Sequence, residues 1–270
     1  MTDTFFRFPH TPHLMWLGAG VPRDDKVLSA PEAKALLAGD VVVEEKVDGA
    51  NLGFSLDQAG QLRAQNRGQY VQPPYGGQFS KLMQWSAVHG DALVNALQPG
   101  WIAFGEWCAA RHSLSYDRLP DWWLSFDLYD HANRRFQSTV ARDVFAKKAG
   151  LATVAELFRG RTTLNDLRSL LLETPSRYRS GPIEGLVVRR EDSGALAARA
   201  KLVRPDFTQA IEQHWRSRRI EWNRLASVVE PAIGGDEGRG LLVPAHEHVG
   251  QLVEFPEAVP LNLATPATRA

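Results

Sequence analysis

One cysteine, Cys108, stands in 270 residues, which excludes an internal disulfide and any cysteine-cluster metal site. Such a lone thiol reads as a small buried hydrophobe in a reducing compartment. An excess of either charge is missing too: 31 Lys plus Arg balance 31 Asp plus Glu, so no global positive field attracts a polyanion. Contact with nucleic acid would need a local groove, and this counts against a protein that coats long duplexes. No run of about eighteen apolar residues occurs. Met1 to Pro9 has neither the basic nor the apolar region of a signal peptide. The expectation is a cytoplasmic protein without membrane contact.

What the chain does have is 44% hydrophobic residues, enough for a sizeable core in one large domain or two small ones. Apolar runs rich in β-branched and aromatic residues predict strands over 41–46, 51–56, 62–65, 101–107, 122–129, 183–189 and 197–203. Helical spacing predicts helices over 30–38, 78–97, 139–148 and 163–172, with Pro31 in a first turn and Gly39 and Gly150 as stops. Strands outnumber helices and do not alternate with them, so the fold class is α+β with mainly antiparallel sheets. The lead-in from Phe8 to Leu14 contains two prolines and is expected as an ordered arm packed over the first strand. Residues 206–225 predict a helix with Phe207, Ile211, Trp215 and Trp222 on one face and Arg216, Arg218, Arg219 and Arg224 elsewhere. Those arginines fit a solvated face or an RNA contact. Gly, Pro and small residues dominate from Glu230, giving a domain over 1–226 and a loose tail or small appendage over 227–270.

The chemistry centres on Val41-Val-Val-Glu-Glu-Lys-Val-Asp-Gly-Ala-Asn51, where an apolar strand delivers an amine and a carboxylate into a glycine turn. Period-two alternation is expected to put Lys46 and Asp48 on one side of the strand end. An amine at a water-poor strand end, beside cationic neighbours, can lose its proton near neutral pH and act as a nucleophile. Alone, Lys-x-Asp-Gly reads more readily as an exposed hairpin with an ion pair.

Other strands, however, carry polar residues where a core wants apolar ones: Arg67 after Gln65-Asn, Glu106 in Phe104-Gly-Glu-Trp107, and Phe126 with Asp127 in Ser125-Phe-Asp-Leu-Tyr129. Glu184 begins Glu184-Gly-Leu-Val-Val-Arg189, and Arg199 and Lys201 share a strand face. Each alone is more often core, ion pair or surface charge. Together, directed into one cleft, they would be costly without a charged ligand and a divalent metal, and a triphosphate fits.

The order Lys46-Val-Asp-Gly, Phe104-Gly-Glu, Phe126-Asp, Glu184-Gly-Leu-Val-Val-Arg and Lys201 resembles motifs I, III, IIIa, IV and V of the covalent nucleotidyltransferase superfamily of ligases and capping enzymes. Within it, the chain resembles ATP-dependent RNA ligases of the RNA ligase 2 type over about its first three quarters. Asn51 agrees, because those relatives carry Gly-x-Asn where DNA ligases generally carry Arg. The resemblance implies a ligase adenylation domain, unrelated to ATP-grasp and lacking an OB-fold. It implies that Lys46 attacks the α-phosphorus of ATP to give lysyl-AMP. AMP then passes to an RNA 5′-phosphate, and a 3′-hydroxyl displaces it.

Carried onto this sequence, the resemblance has Phe126 stacking on adenine and Glu44 or Glu45 accepting from its exocyclic amine. Asn51, Arg67 and Glu106 would surround the ribose and phosphate. Glu184 would hold Mg²⁺ or Mn²⁺, and Arg199 and Lys201 would neutralise the phosphates. Two positions depart from phage relatives: Arg199 stands where they usually have Lys, and Asp48, counted with Lys46 among the catalytic residues, stands where phage RNA ligase 2 has His. The implied partners are RNA with 5′-phosphate and 3′-hydroxyl ends, including nicked or RNA:DNA duplexes, and an end-processing kinase or phosphatase in RNA repair. About seventy residues follow Lys201, too few for a helix and a five-stranded barrel, which disfavours a DNA ligase or a capping enzyme. A silent nucleotide or RNA-end sensor is the remaining alternative, against which Lys46, Glu106, Glu184 and Lys201 are all present.

Overall fold

The computed structural model describes residues 5–18, 22, 26–210 and 219–226. The chain divides into two units, Met1–Val228 and Val229–Ala270, and the second, with most of the expected tail, lies outside the described residues. In chain order the elements are α1 (Ala30–Leu36), β1 (Val41–Lys46), β2 (Ala50–Leu56), β3 (Leu62–Gln65), β4 (Tyr70–Val71), α2 (Leu82–Ala96), β5 (Trp101–Trp107), β6 (Trp123–Asp130), β7 (Arg135–Phe136), α3 (Thr139–Lys148), β8 (Glu156–Gly160), α4 (Leu164–Glu173), β9 (Gly185–Asp192), β10 (Ala195–Val203) and α5 (Pro205–Ala210). No helix among the described residues is long and apolar enough to cross a membrane.

The strands make two antiparallel sheets, a four-stranded one in the order β10-β9-β1-β8 and a six-stranded one in the order β4-β3-β2-β5-β6-β7. With helices packed on both, this is the expected α+β class. Alternation gives the four-stranded sheet two unlike faces. Val41, Val43, Leu186, Val188, Ala200 and Leu202 form a core with Leu36 of α1 and Leu167 and Leu171 of α4. Glu44, Lys46, Val187, Arg189, Arg199 and Lys201 lie on the opposite face, as the register Glu44↔Val187, Arg199↔Arg189 and Lys201↔Val187 requires. The six-stranded sheet packs Leu52, Phe54, Ala103, Trp107 and Trp123 against Leu82, Trp85 and Leu93 of α2 and Phe145 of α3.

Two sequence expectations need correction. The arm does not pack over β1 alone, although Leu14 joins Val41 and Val43 in one core. It pairs in parallel with the edge of β10, where Lys201 N–H donates to Pro12 O at 2.8 Å and Leu14 N–H donates to Lys201 O at 2.7 Å. An open sheet edge offers backbone groups that a proline-containing segment can meet wherever it retains a carbonyl or an N–H. Nor does one helix span residues 206–225. Residues 219–226 run extended beside the loop after β5, with Trp222 bridged to Ala110 and Leu225 to Leu119, while 211–218, including Ile211 and Trp215, lie outside the described residues. Buried Asn223 wins over helical periodicity there. Its side chain accepts from Tyr116 N–H and donates to the Cys108 and Ala110 carbonyls, satisfying a loop that has no ladder of its own.

Candidate active site

The polar face of the four-stranded sheet closes against the six-stranded sheet around a cavity of about 270 Å³. Phe8, His10, Thr11, Glu44, Glu45, Lys46, Val47, Asn51, Arg67, Glu106, Phe126, Asp127, Val154, Val187, Arg189, Arg199 and Lys201 line it. Every site residue expected from the sequence is in this lining except Asp48 and Glu184.

Lys46 ends β1 directly opposite Gly185, the first residue of β9. That places Nζ 2.6 Å from Oε1 of Glu184. A side chain at 185 would put Cβ 2.6 Å from the Leu202 carbonyl oxygen, so glycine there lets β9 lie close against β10 beside Lys46. Gly49 plays the same part on the other side, where a Cβ would stand 2.5 Å from the Trp107 carbonyl. The turn can thus press onto β5, and Gly49 N–H donates to Glu106 Oε1 at 3.0 Å.

The charges around Lys46 are the reverse of those expected. Burial alone would lower its pKa, but the carboxylates of Glu184, Asp48 and Glu106 outweigh that and raise it. The resting amine is therefore an ammonium held by Glu184. Desolvation raises Glu184, against the opposing effect of Lys46, and pushes Glu106 up to about 7.

Asp48 lies outside the cavity lining, although its carboxylate is near enough to raise the lysine's pKa. β1 stops at Lys46, so two-residue alternation does not extend into the turn. Its carboxylate instead accepts the Ser113 and Leu114 N–H groups at 2.7 and 3.2 Å, and its own N–H donates to Tyr116 Oη at 2.8 Å. Asp48 thereby fixes the loop after β5 to the lysine turn.

Glu44 and Glu45 point to opposite faces of β1. Glu44 shares the face of Lys46, but its oxygens take the guanidiniums of Arg142 and Arg189. Glu45 accepts from Ser176 Oγ at 2.5 Å and Arg177 N–H at 2.9 Å. Both carboxylates thus have partners inside the protein, while both residues line the cavity in which an acceptor for an exocyclic amine is expected.

Phe126 and Asp127 are neighbours, yet both line the cavity, which strict alternation forbids. A bulge resolves this: Phe104 pairs with Asp127 and Gly105 with Ser125, leaving Phe126 unmatched. Asp127 then crosses between sheets to pair with Arg189 and Arg199. Arg199, expected as a phosphate ligand, is thus already ion-paired, with its guanidinium 4.4 Å from the Phe8 ring centroid and 4.5 Å from that of Phe136. Burial, opposed by Asp127, lowers its pKa, whereas at Arg189 burial is outweighed by Asp127 and Glu44, which raise it.

Sequence reasoning missed Arg142, which is 2% exposed and joins Glu44 to the Phe126 carbonyl at 3.1 Å. The signal was present, because the buried residues Thr139, Arg142, Phe145 and Ala146 of α3 lie at helical spacing and put an arginine on the apolar face.

Asn51 Oδ1, Arg67 Nε and Glu184 Oε2 are buried without a hydrogen-bond partner. Orphaned buried polar atoms cost about 1–3 kcal/mol each, so those of the lining residues Asn51 and Arg67, with the likewise unpartnered Nε of Arg189, fit a polar ligand in the cavity. Among the described residues no group of three or more His, Cys, Asp or Glu could hold a metal ion. The open Oε2 of Glu184 suits a hard cation whose other ligands are water and phosphate oxygen.

A family profile described as RNA ligase matches residues 39–203, from just before β1 to the end of β10. Among solved structures, a Naegleria gruberi RNA ligase mutant with ATP and Mn aligns with TM-score 0.55 and 16% identity, over 77% of this chain and 58% of that one. An apo mutant of the same ligase gives 0.54 and 15% over 77% and 58%, and that ligase with PPi gives 0.54 and 16% over 76% and 64%. The likeness is one of fold, and this chain spans about 58% of the first of those ligases. No curated protein sequence gives a significant match.

Proposed function

The chain belongs to the RNA ligase family, and from that premise we propose that it is an ATP-dependent RNA ligase working through a lysyl-AMP intermediate. The observation that carries the proposal is the seating of Lys46 Nζ inside a polar cavity, 2.6 Å from Glu184, with Asn51, Arg67, Glu106, Phe126 and Lys201 around the same space.

In the first step the Lys46 amine, having given up its proton, attacks the α-phosphorus of ATP. An N–P bond forms, the bond from that phosphorus to the bridging oxygen breaks, and pyrophosphate leaves with the electron pair. The RNA 5′-phosphate oxygen then displaces Lys46, and a 3′-hydroxyl finally displaces AMP to close a phosphodiester. Phe126 offers an aromatic face to the base. Glu106, Asn51 and Arg67 supply acceptors and donors for ribose and phosphate. Lys201 meets the charge of the departing pyrophosphate. Glu184 would hold Mg²⁺ or Mn²⁺, which supplies charge neutralisation at the phosphates when bound. The substrate is RNA bearing 5′-phosphate and 3′-hydroxyl ends, within RNA repair alongside an end-processing enzyme, in the cytoplasm. The domain doing this chemistry is residues 1–226.

Intact mass after incubation with ATP and Mg²⁺ tests the reading. A single adenylyl group gained, and passed on to 5′-phosphorylated RNA, is the expected result. A protein whose mass is unchanged by ATP, or that takes up only GMP, refutes it.

A further inference from the structure

The assignment above gives the N-terminal arm no task, yet two anchors build the arm into the cavity. At one end Phe8 is buried edge-on against Phe126, ring centroids 5.4 Å apart, and lies under the Arg199 guanidinium. At the other, Pro12 and Leu14 bind both backbone groups of Lys201 at 2.8 and 2.7 Å. Because β10 is the last strand of its sheet, this pairing covers the open edge at the residue whose side chain lines the cavity. Between the anchors, exposed His10 and half-buried Thr11 line the same cavity as Arg67 and Lys201.

A segment fixed at both ends holds His10 and Thr11 in defined places at little further entropic cost. Imidazole N–H and threonine hydroxyl are donors suited to phosphate oxygen. Arg199 is ion-paired with Asp127, so other cations and donors of the lining would share with it the contacts to a triphosphate. We propose that the arm is part of the nucleotide site: His10 and Thr11 donate to the phosphate chain, and Pro12 with Leu14 fixes the backbone of Lys201. The inference rests on the adenylylation reading and adds ligands outside the residues matched by the family profile.

The test titrates ATP in single-turnover adduct formation for the parent, His10→Ala and Thr11→Val, and compares sealing of chemically pre-adenylated RNA, which has no γ-phosphate. His10→Ala should raise half-saturating ATP about tenfold and Thr11→Val about threefold, as loss of one hydrogen bond predicts. The loss with pre-adenylated RNA should be clearly smaller. An ATP dependence like the parent's in both variants, or equal losses on the two substrates, overturns the inference while leaving the ligase reading intact. A parent that forms no adduct overturns both.

Discussion

Lys46 and Glu184 are 138 positions apart in sequence and 2.6 Å apart in the fold. The pairing of Lys46 with Gly185 across β1 and β9 produces that contact, and it defines the resting state as an ion pair. Under the proposed function Glu184 would face two successive partners, the ammonium first and a metal-phosphate unit once ATP is bound.

The proposed nucleophile role of Lys46 and its ion-pair role separate by substitution. Lys46→Arg keeps a cation for Glu184 but offers a guanidinium that stays protonated, while Lys46→Ala removes both. Neither should acquire an adenylyl group by mass. Lys46→Arg should keep a melting temperature close to the parent's, and an adduct on either variant would place the nucleophile elsewhere.

Glu184→Gln keeps the shape of the side chain and removes its charge. With one carboxylate oxygen taken by Lys46 and the other open, the metal contact should suffer most. Half-saturating Mg²⁺ for adduct formation should rise about tenfold or more, the scale seen when groups supporting a metal are altered. A superimposable Mg²⁺ titration would remove Glu184 from the metal site.

The strands that build the site were legible because they are apolar runs ending in charge: β1 matches the expected 41–46, and β5 matches 101–107. β8 was not, since Glu156, Arg159 and Gly160 dilute an edge strand whose pattern is largely exposed. β4 and β7 hold two residues each, too few for any period. Asp48 follows the end of the strand at Lys46, so alternation alone does not place its side chain. Phe126 and Asp127 could not both be placed from sequence, because the bulge that admits them is set by pairing with β5. The role of Arg199 likewise depends on Asp127 arriving from the other sheet, a contact no local pattern encodes.

Arg142 offers a check on the charge network beneath the cavity. Glu44 is 1% exposed, and removing one of its two guanidinium partners leaves it short of compensation. Arg142→Met should destabilise the fold by about 3 kcal/mol, the usual scale for breaking a buried pair. Arg142→Lys should cost less. Chemical denaturation of both variants gives the comparison, and a neutral Arg142→Met would mean that Arg189 alone satisfies Glu44.

Glu106 makes stability depend on pH with a definite sign. Desolvation holds its folded pKa at about 7 against an ordinary 4.5, with Lys46 opposing and Asp48 adding to the shift. Below pH 4.5 the carboxyl is protonated folded or unfolded and costs nothing. Between 4.5 and 7 the unfolded chain ionises first, so the folded state loses relative stability as pH rises, and above 7 the whole cost applies. Glu106→Gln removes that ionisation while its amide oxygen can still accept from Gly49 N–H. The variant should match the parent near pH 4 and gain up to about 3 kcal/mol over it by pH 8. In thermal melts without nucleotide this is a gap of roughly 6–12 °C opening with pH. A gap that stays constant across that range, or narrows, would show that Glu106 ionises in the fold as readily as it does in water.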